Sequence, residues 1–115
     1  MKTIDNAFAI QAKDKEILSE LGRIVRGVLP GATIYLFGSA AKGVRQADSD
    51  LDVLIITNTH LSRQDQAALT EAIYELELAR GAVISTLFYS REEWDAPLTR
   101  ATPFHTRVEA EAVLV

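Results

Sequence analysis

The chain has 115 residues and carries 12 Lys and Arg against 16 Asp and Glu, which gives a formal net charge of −4. This balance argues against a general nucleic-acid-binding surface, although a local cationic patch remains compatible with it. Because the sequence contains no cysteine, it excludes disulfides, thiolate zinc sites and a cysteine nucleophile.

The length predicts one domain over residues 1–115, with room for a single hydrophobic core. Met1-Lys2 is not followed by an apolar signal core, and no apolar run approaches the length that spans a membrane. We therefore expect a soluble cytoplasmic protein without a membrane partner.

The first half of the chain predicts one helix and two strands. Apolar residues recur at helical spacing from about residue 13 to residue 29, where Pro30-Gly31 ends the helix. Segments 32–37 and 51–57 are rich in β-branched and aromatic residues and predict buried strands. The first twelve residues are weakly patterned, and three of them are candidates for packing on the core: Ile4, Phe8 and Ile10.

A second long helix is predicted between Ser62, which with Asp65 resembles a capping box, and Gly81. Segment 82–89 then reads as a third strand. A full helix between two strands favours a right-handed parallel crossover. The acidic residues of this helix are expected to face solvent, namely Glu71, Glu75 and Glu77.

The C-terminal part predicts two short helical segments. Ser90 and Glu93 suit the cap of a turn that contains Trp94, and Thr102-Pro103 suits the start of a last helix to about residue 110. The order helix, strand, strand, helix, strand, helix predicts an α/β (α+β) fold, with helices packed against a small mixed sheet.

The most informative feature is Asp52, a carboxylate inside the aliphatic segment 51–56. An unpaired carboxylate buried in such a strand costs several kcal/mol. Asp50 lies two residues earlier and faces the same side of the strand, about 6.6 Å away along the chain. Two carboxylates about 5 Å apart repel by roughly 3 kcal/mol at an effective dielectric near 20. A divalent cation between the two carboxylates would turn this repulsion into attraction to the metal. The alternative interpretation is a solvated start of the strand at which one Asp caps a helix or forms a salt bridge.

A second group of polar residues follows the first predicted strand. Gly38 allows a close backbone approach to a ligand, and Ser39 adds a hydroxyl beside free backbone N–H groups that favour phosphate. Lys42 and Arg45 are either phosphate contacts or solvated loop charges. Carboxylate oxygens suit magnesium, which usually binds one or two carboxylates together with phosphate oxygens and water. A phosphate site beside such a pair predicts phosphoryl or nucleotidyl transfer.

These motifs carry a family resemblance. Gly38-Ser39, ten intervening residues and Asp50-Leu51-Asp52 resemble the signature of the DNA polymerase β-like nucleotidyltransferase superfamily. The flanking Leu-Phe-Gly-Ser-Ala-Ala-Lys-Gly and Asp-Ser-Asp-Leu-Asp-Val-Leu-Ile extend the match. The short chain is similar to the minimal nucleotidyltransferases, which are encoded beside small helical HEPN proteins.

The resemblance implies a magnesium-dependent nucleotidyltransferase in which Gly38 and Ser39 hold the phosphates of a nucleoside triphosphate and Asp50 and Asp52 hold Mg²⁺. An acceptor hydroxyl would attack the α-phosphate, ATP being the expected donor. In the paired systems the group acts as an antitoxin that adenylylates its HEPN partner or blocks it by binding. A homo-oligomer is a further possible assembly.

One residue departs from the pattern. Full enzymes of the superfamily carry a third Asp on the strand after the second long helix, and Ser85 is expected at that position, with Thr86 as the other register. A neutral hydroxyl is a poor general base and a weak metal ligand. The alternatives to an active enzyme are therefore a catalytically silent module that neutralises a HEPN partner by contact, and a self-associating domain with a vestigial Asp pair.

The remaining aromatic and histidine residues are assigned structural roles. Tyr35, Phe37, Phe88 and Trp94 are expected in or at the edge of the core. His60 and His105 lack ligand-like spacing and are expected to be structural or exposed.

Overall fold

The computed structural model describes residues 2–44 and 49–115. The strands are β1 (Lys2–Thr3), β2 (Thr33–Phe37), β3 (Leu51–Thr57), β4 (Ile84–Ser90) and β5 (Val113–Leu114). The helices are α1 (Ala12–Val28), α2 (Gly38–Ala41), α3 (Arg63–Arg80), α4 (Arg91–Asp95), α5 (Pro97–Arg100) and α6 (Pro103–Glu111), with a 3-10 turn at Ile4–Asn6. None of the helices in these ranges is long and apolar enough to cross a membrane.

The strands form one mixed sheet in the order β1-β5-β2-β3-β4. β2 is antiparallel to both of its neighbours, β3 and β5, whereas β3 and β4 are parallel. The full helix α3 joins β3 to β4, as expected for a parallel connection. The predicted mixed sheet with helices packed against it is confirmed.

One face of the sheet packs against α1 and α3. Ile17, Leu18, Leu21 and Val25 of α1 are fully buried, as are the alternate residues of β2 and β3 that face them, whereas Ile24 and Val28 are partly buried. The side chains that form this main core include Ile17, Leu18, Leu21, Ile34, Leu36, Val53, Ile55, Leu69 and Ile73. Burial on this face accounts for the two long helices, because each of them has one apolar side to cover.

The opposite face carries a smaller core under α4 and α6. Leu54 and Ile56 of β3 pack there with Trp94, Val108 and Ala112. The expected aromatic residues contribute to this cluster or to the main core, with Tyr35 and Phe37 against the former and Phe88 against the latter. This is also the face of Asp52, because residues two apart in β3 share a side.

Local capping explains where the later helices begin. The Ser62 hydroxyl accepts from the Asp65 N–H at 3.0 Å, and the Thr102 hydroxyl accepts from the His105 N–H at 3.2 Å. At α4 both bonds of a capping box are present between Ser90 and Glu93. These three predicted caps are confirmed, and each satisfies N–H groups that the first helical turn leaves unpaired.

Three features differ from the expectations or extend them. Ile10 is buried in the main core, but Phe8 is 89% exposed and does not belong to it. Glu77 is not simply solvated, because its Oε2 accepts from the backbone N–H of Ile84 at 2.9 Å and so fixes the start of β4. The short strands β1 and β5 pair in parallel and add the two ends of the chain to the sheet.

Candidate active site

The two predicted carboxylates lie at the N-terminal end of β3. Asp50 directly precedes the strand and is exposed, whereas Asp52 is its second residue and is half-buried. Asp52 pairs across the sheet with Phe37 of β2 on one side and with Ser85 of β4 on the other. The three residues form a row across three strands, next to Gly38, which follows the last residue of β2.

Gly38 lies against the Asp52 carboxylate. Its φ of +75° belongs to the left-handed region, and a Cβ added there would lie 2.5 Å from Asp52 Oδ2. Both the backbone conformation and the close approach therefore require glycine at this position. The structure thus brings together two parts of the predicted motif that are 14 residues apart in sequence.

Ser85 faces the carboxylates, and Thr86 does not. The Ser85 hydroxyl donates to Asp50 Oδ2 at 2.7 Å. Thr86 points to the other face of the sheet, where it lines a groove with Tyr74 and Glu77 of α3. The register that places Ser85 opposite Asp52 is the one observed, so the alternative placement of Thr86 is wrong.

The electrostatics of the pair are those of two like charges held close together. The pKa of Asp52 is raised, first because partial burial disfavours its charged form and second because of the negative charge of Asp50. A divalent cation would remove this repulsion, and the two carboxylates are ligands that suit Mg²⁺. Among residues 2–44 and 49–115 no group of three or more Asp, Glu or His comes together, so phosphate oxygens and water would complete the coordination.

The other predicted phosphate contacts follow Gly38 in the chain. Ser39 is half-buried in the short helix α2, and Lys42 follows that helix as an exposed residue. Lys42 Nζ lies 3.4 Å from Glu111 Oε2 of α6. Arg45 lies outside the described residues.

One side of α6 also faces the site, which the sequence reasoning missed. The side chains on this face are spaced like one helical stripe, and they are Phe104, Arg107, Val108 and Glu111. Together with Phe37, Gly38 and Lys42 they line a pocket of about 220 Å³. The stripe was readable from the i, i+3, i+4, i+7 spacing, but nothing in the sequence placed this helix beside Gly38.

The histidines are structural or exposed, as expected. His105 is buried, and its ring stacks on Trp94 with the centroids 4.3 Å apart. His60 is exposed, with Nδ1 3.7 Å from Glu93 Oε1. Neither histidine lies in the row that contains Asp52.

Comparison with known proteins gives three findings. A family model described as "Nucleotidyltransferase domain" matches residues 14–111. The spectinomycin 9-adenylyltransferase of Campylobacter jejuni is 35% identical over 68 residues, which cover 59% of this chain but only 26% of that protein. A solved structure described as a toxin-antitoxin with AMP-PNP superimposes with a TM-score of 0.55 over 90% of this chain and 72% of its own, at 18% identity. At that identity the superposition shows a shared fold.

Proposed function

Because the chain belongs to the nucleotidyltransferase domain family, we propose that it is a magnesium-dependent nucleotidyltransferase that transfers AMP from ATP to a hydroxyl of a partner protein. The observation that carries the proposal is the convergence of Asp50, Asp52 and Gly38 at one end of the sheet. A pair of carboxylates beside a close backbone approach is suited to a metal-bound triphosphate.

In the proposed reaction, the acceptor oxygen forms a bond to the α-phosphorus while the bond from that phosphorus to the β-phosphate oxygen breaks. Pyrophosphate leaves, and the proton of the acceptor passes to a carboxylate or to solvent. When bound, Mg²⁺ supplies positive charge that stabilises the attacking and leaving oxygens. Asp50 and Asp52 hold the metal, Gly38 lets the phosphates approach the backbone, and Ser85 keeps Asp50 oriented through its hydrogen bond.

The proposed partner is a small helical protein of the HEPN type, with this chain in an antitoxin role. The support is the sequence motif together with the fold shared with a chain from a toxin–antitoxin structure. The adenylyltransferase relative favours AMP as the transferred group. This chain spans about a quarter of the length of that relative. The proposed acceptor, a hydroxyl of the partner protein, therefore does not rest on the substrate of the relative.

The first test is nucleotide binding by the Asp50→Asn/Asp52→Asn variant. Wild type should bind ATP only when Mg²⁺ is present, and the double variant should lose this binding, which isothermal titration calorimetry measures. Glu71→Asn/Glu75→Asn removes two exposed carboxylates from α3 and serves as the matched control. A folded double variant that binds Mg²⁺–ATP as well as the wild type does would overturn the site assignment.

A second candidate function is a silent module that neutralises its partner by contact alone. The observation in its favour is Ser85, a neutral hydroxyl at the position opposite Asp52. ATP labelled at the α-phosphate, incubated with Mg²⁺, this protein and the proposed helical partner, distinguishes the two. Transfer of the label to the partner excludes a catalytically silent module. Neutralisation of the partner without transfer of the label supports such a module.

Replacing Ser85 by a carboxylate tests how much a third carboxylate at this position contributes to the rate of AMP transfer. If the site has the proposed geometry, Ser85→Asp adds a third carboxylate beside Asp50 and should raise the rate of AMP transfer by about 10²-fold or more, the usual contribution of a positioned general base. Thr86→Asp places the same charge on the opposite face of the sheet and is the control. An equal effect of the two substitutions would contradict the assigned geometry.

A further inference from the structure

The pocket beside Gly38 continues the carboxylate site. Gly38 lies against Asp52 on one side and lines the pocket of about 220 Å³ on the other. The pocket and the carboxylate site therefore share Gly38 as a common boundary. The far wall of the pocket is α6, which contributes Phe104, Arg107 and Glu111.

Two cations give the pocket its chemistry. Arg107 makes no ion pair or hydrogen bond within the described part of the chain, so its guanidinium is available to a ligand. Lys42 lies on the opposite wall, 3.4 Å from Glu111. The rings of Phe37 and Phe104 already pack edge to face on each other, with their centroids 5.2 Å apart. The guanidinium of Arg107 is therefore the group of the pocket that is free to bind, and its positive charge favours an anion.

We propose that this pocket binds the β- and γ-phosphates of the nucleoside triphosphate, and that Glu111 competes with them for Lys42. The proposal rests on the proposed function and assigns roles to three side chains of the same site. Arg107 and Lys42 hold the phosphates that leave as pyrophosphate, and Glu111 occupies Lys42 while the pocket contains no phosphate.

The ion pair between Lys42 and Glu111 is exposed, so replacing Glu111 by a phosphate at Lys42 costs little free energy. The Lys42 and Glu111 side chains are 55% and 46% exposed, and an ion pair of this kind contributes little in water. A polyphosphate brings more negative charge and bonds to both cations, so it displaces the single carboxylate. Once displaced, Glu111 remains near the phosphates as a like charge and weakens their binding.

The experiment measures the affinity of ATP, AMP and inorganic tripolyphosphate for three forms of the protein. Arg107→Gln should weaken binding of ATP and tripolyphosphate by about tenfold or more, as for the loss of hydrogen bonds to a charged group, and should change AMP binding far less. Glu111→Gln should tighten ATP binding by about two- to fivefold, which matches an exposed ion pair. Arg100→Gln and Glu92→Gln remove exposed charges outside the pocket and serve as controls.

The outcomes separate this inference from the proposed function. If ATP binding depends on Asp50 and Asp52 but Arg107→Gln and Glu111→Gln behave like their controls, the pocket assignment is overturned and the proposed function stands. If tripolyphosphate binds in an Arg107-dependent way but ATP needs neither carboxylate nor magnesium, the pocket assignment stands and the proposed function fails. Absence of any binding of ATP or tripolyphosphate to the folded wild type overturns both.

Discussion

At the scale of single residues, Asp52 is a carboxylate whose position lowers the stability of the folded chain. The residue lies in a strand whose other side chains are almost all buried. Its pKa is raised because partial burial and the neighbouring Asp50 both disfavour its charge. Since the folded state therefore binds a proton more tightly than the unfolded state does, the free energy of unfolding falls as the pH rises through the folded pKa of Asp52.

Asp52→Asn should consequently be more stable than the wild type at pH 7 in the absence of divalent cations. The gain should vanish below about pH 3.9, where an unperturbed Asp is also protonated. Urea denaturation of both proteins in EDTA across this pH range measures the difference. Adding Mg²⁺ should stabilise the wild type but not the variant. Lower stability of Asp52→Asn at neutral pH would contradict the argument.

The positions of some single residues of the candidate site could be predicted from the sequence. Asp50 and Asp52 could be assigned to one side from their spacing, and the hydrogen bond from Ser85, which pairs with Asp52, to Asp50 agrees with that assignment. Arg107 could not be assigned to a site, because its position beside Gly38 depends on how the C-terminal helix folds back on the sheet. Spacing along a strand is local information, whereas the docking of a helix is not.

At the scale of elements, the turn from β2 into α2 fixes the site through one residue. Gly38 combines a left-handed backbone with an Asp52 carboxylate that would lie 2.5 Å from an added Cβ. Gly81, which ends α3, has the similar φ of +61° but has no atom within 4 Å of its would-be Cβ. A substitution at Gly81 therefore measures only the free-energy cost of the left-handed backbone. A substitution at Gly38 adds the cost of steric crowding against Asp52.

Gly81→Ala should lower the free energy of unfolding by about 1 kcal/mol, the cost of a left-handed conformation for a residue with a Cβ. Gly38→Ala should cost more than Gly81→Ala, because the added methyl group also displaces the Asp52 carboxylate. Urea denaturation measures the two costs. Only Gly38→Ala should also lose Mg²⁺–ATP binding, and equal costs with intact binding in both variants would rule out the crowding argument.

The start of β4 is an element boundary that the sequence did not disclose. A strand was predicted from residue 82, but the observed strand begins at Ile84, whose N–H is held by Glu77 of the preceding helix. The helical pattern predicts that Glu77 faces solvent, like the other acidic residues of this helix. Its role depends on a bond between two elements, and the same bond fixes the residue just before Ser85.

At the scale of the whole molecule, the central strands and long helices were predictable because each carries its own apolar pattern. The pairing of β1 with β5 was not, since strands of two residues have too few positions to show an alternation. β5 nevertheless lies between β1 and β2 and contributes Val113, which is 1% exposed, to the main core. The end of the described chain is therefore a structural part of the sheet.

Val113→Ala should lower the free energy of unfolding by about 2 kcal/mol, from the lost burial of two methyl groups and the cavity they leave. Leu98→Ala removes a larger side chain that is 87% exposed and should change the free energy of unfolding by less than about 0.5 kcal/mol. Thermal or urea denaturation compares them. Similar values for the two variants would show that β5 is not packed as described.

Ser85 lies on β4, the outermost strand of the sheet, with its hydroxyl directed at the exposed Asp50 rather than into either core. Its replacement by another small polar or acidic residue requires no repacking of neighbouring side chains. One substitution at this position therefore changes the number of carboxylates at the candidate site while both cores keep their side chains.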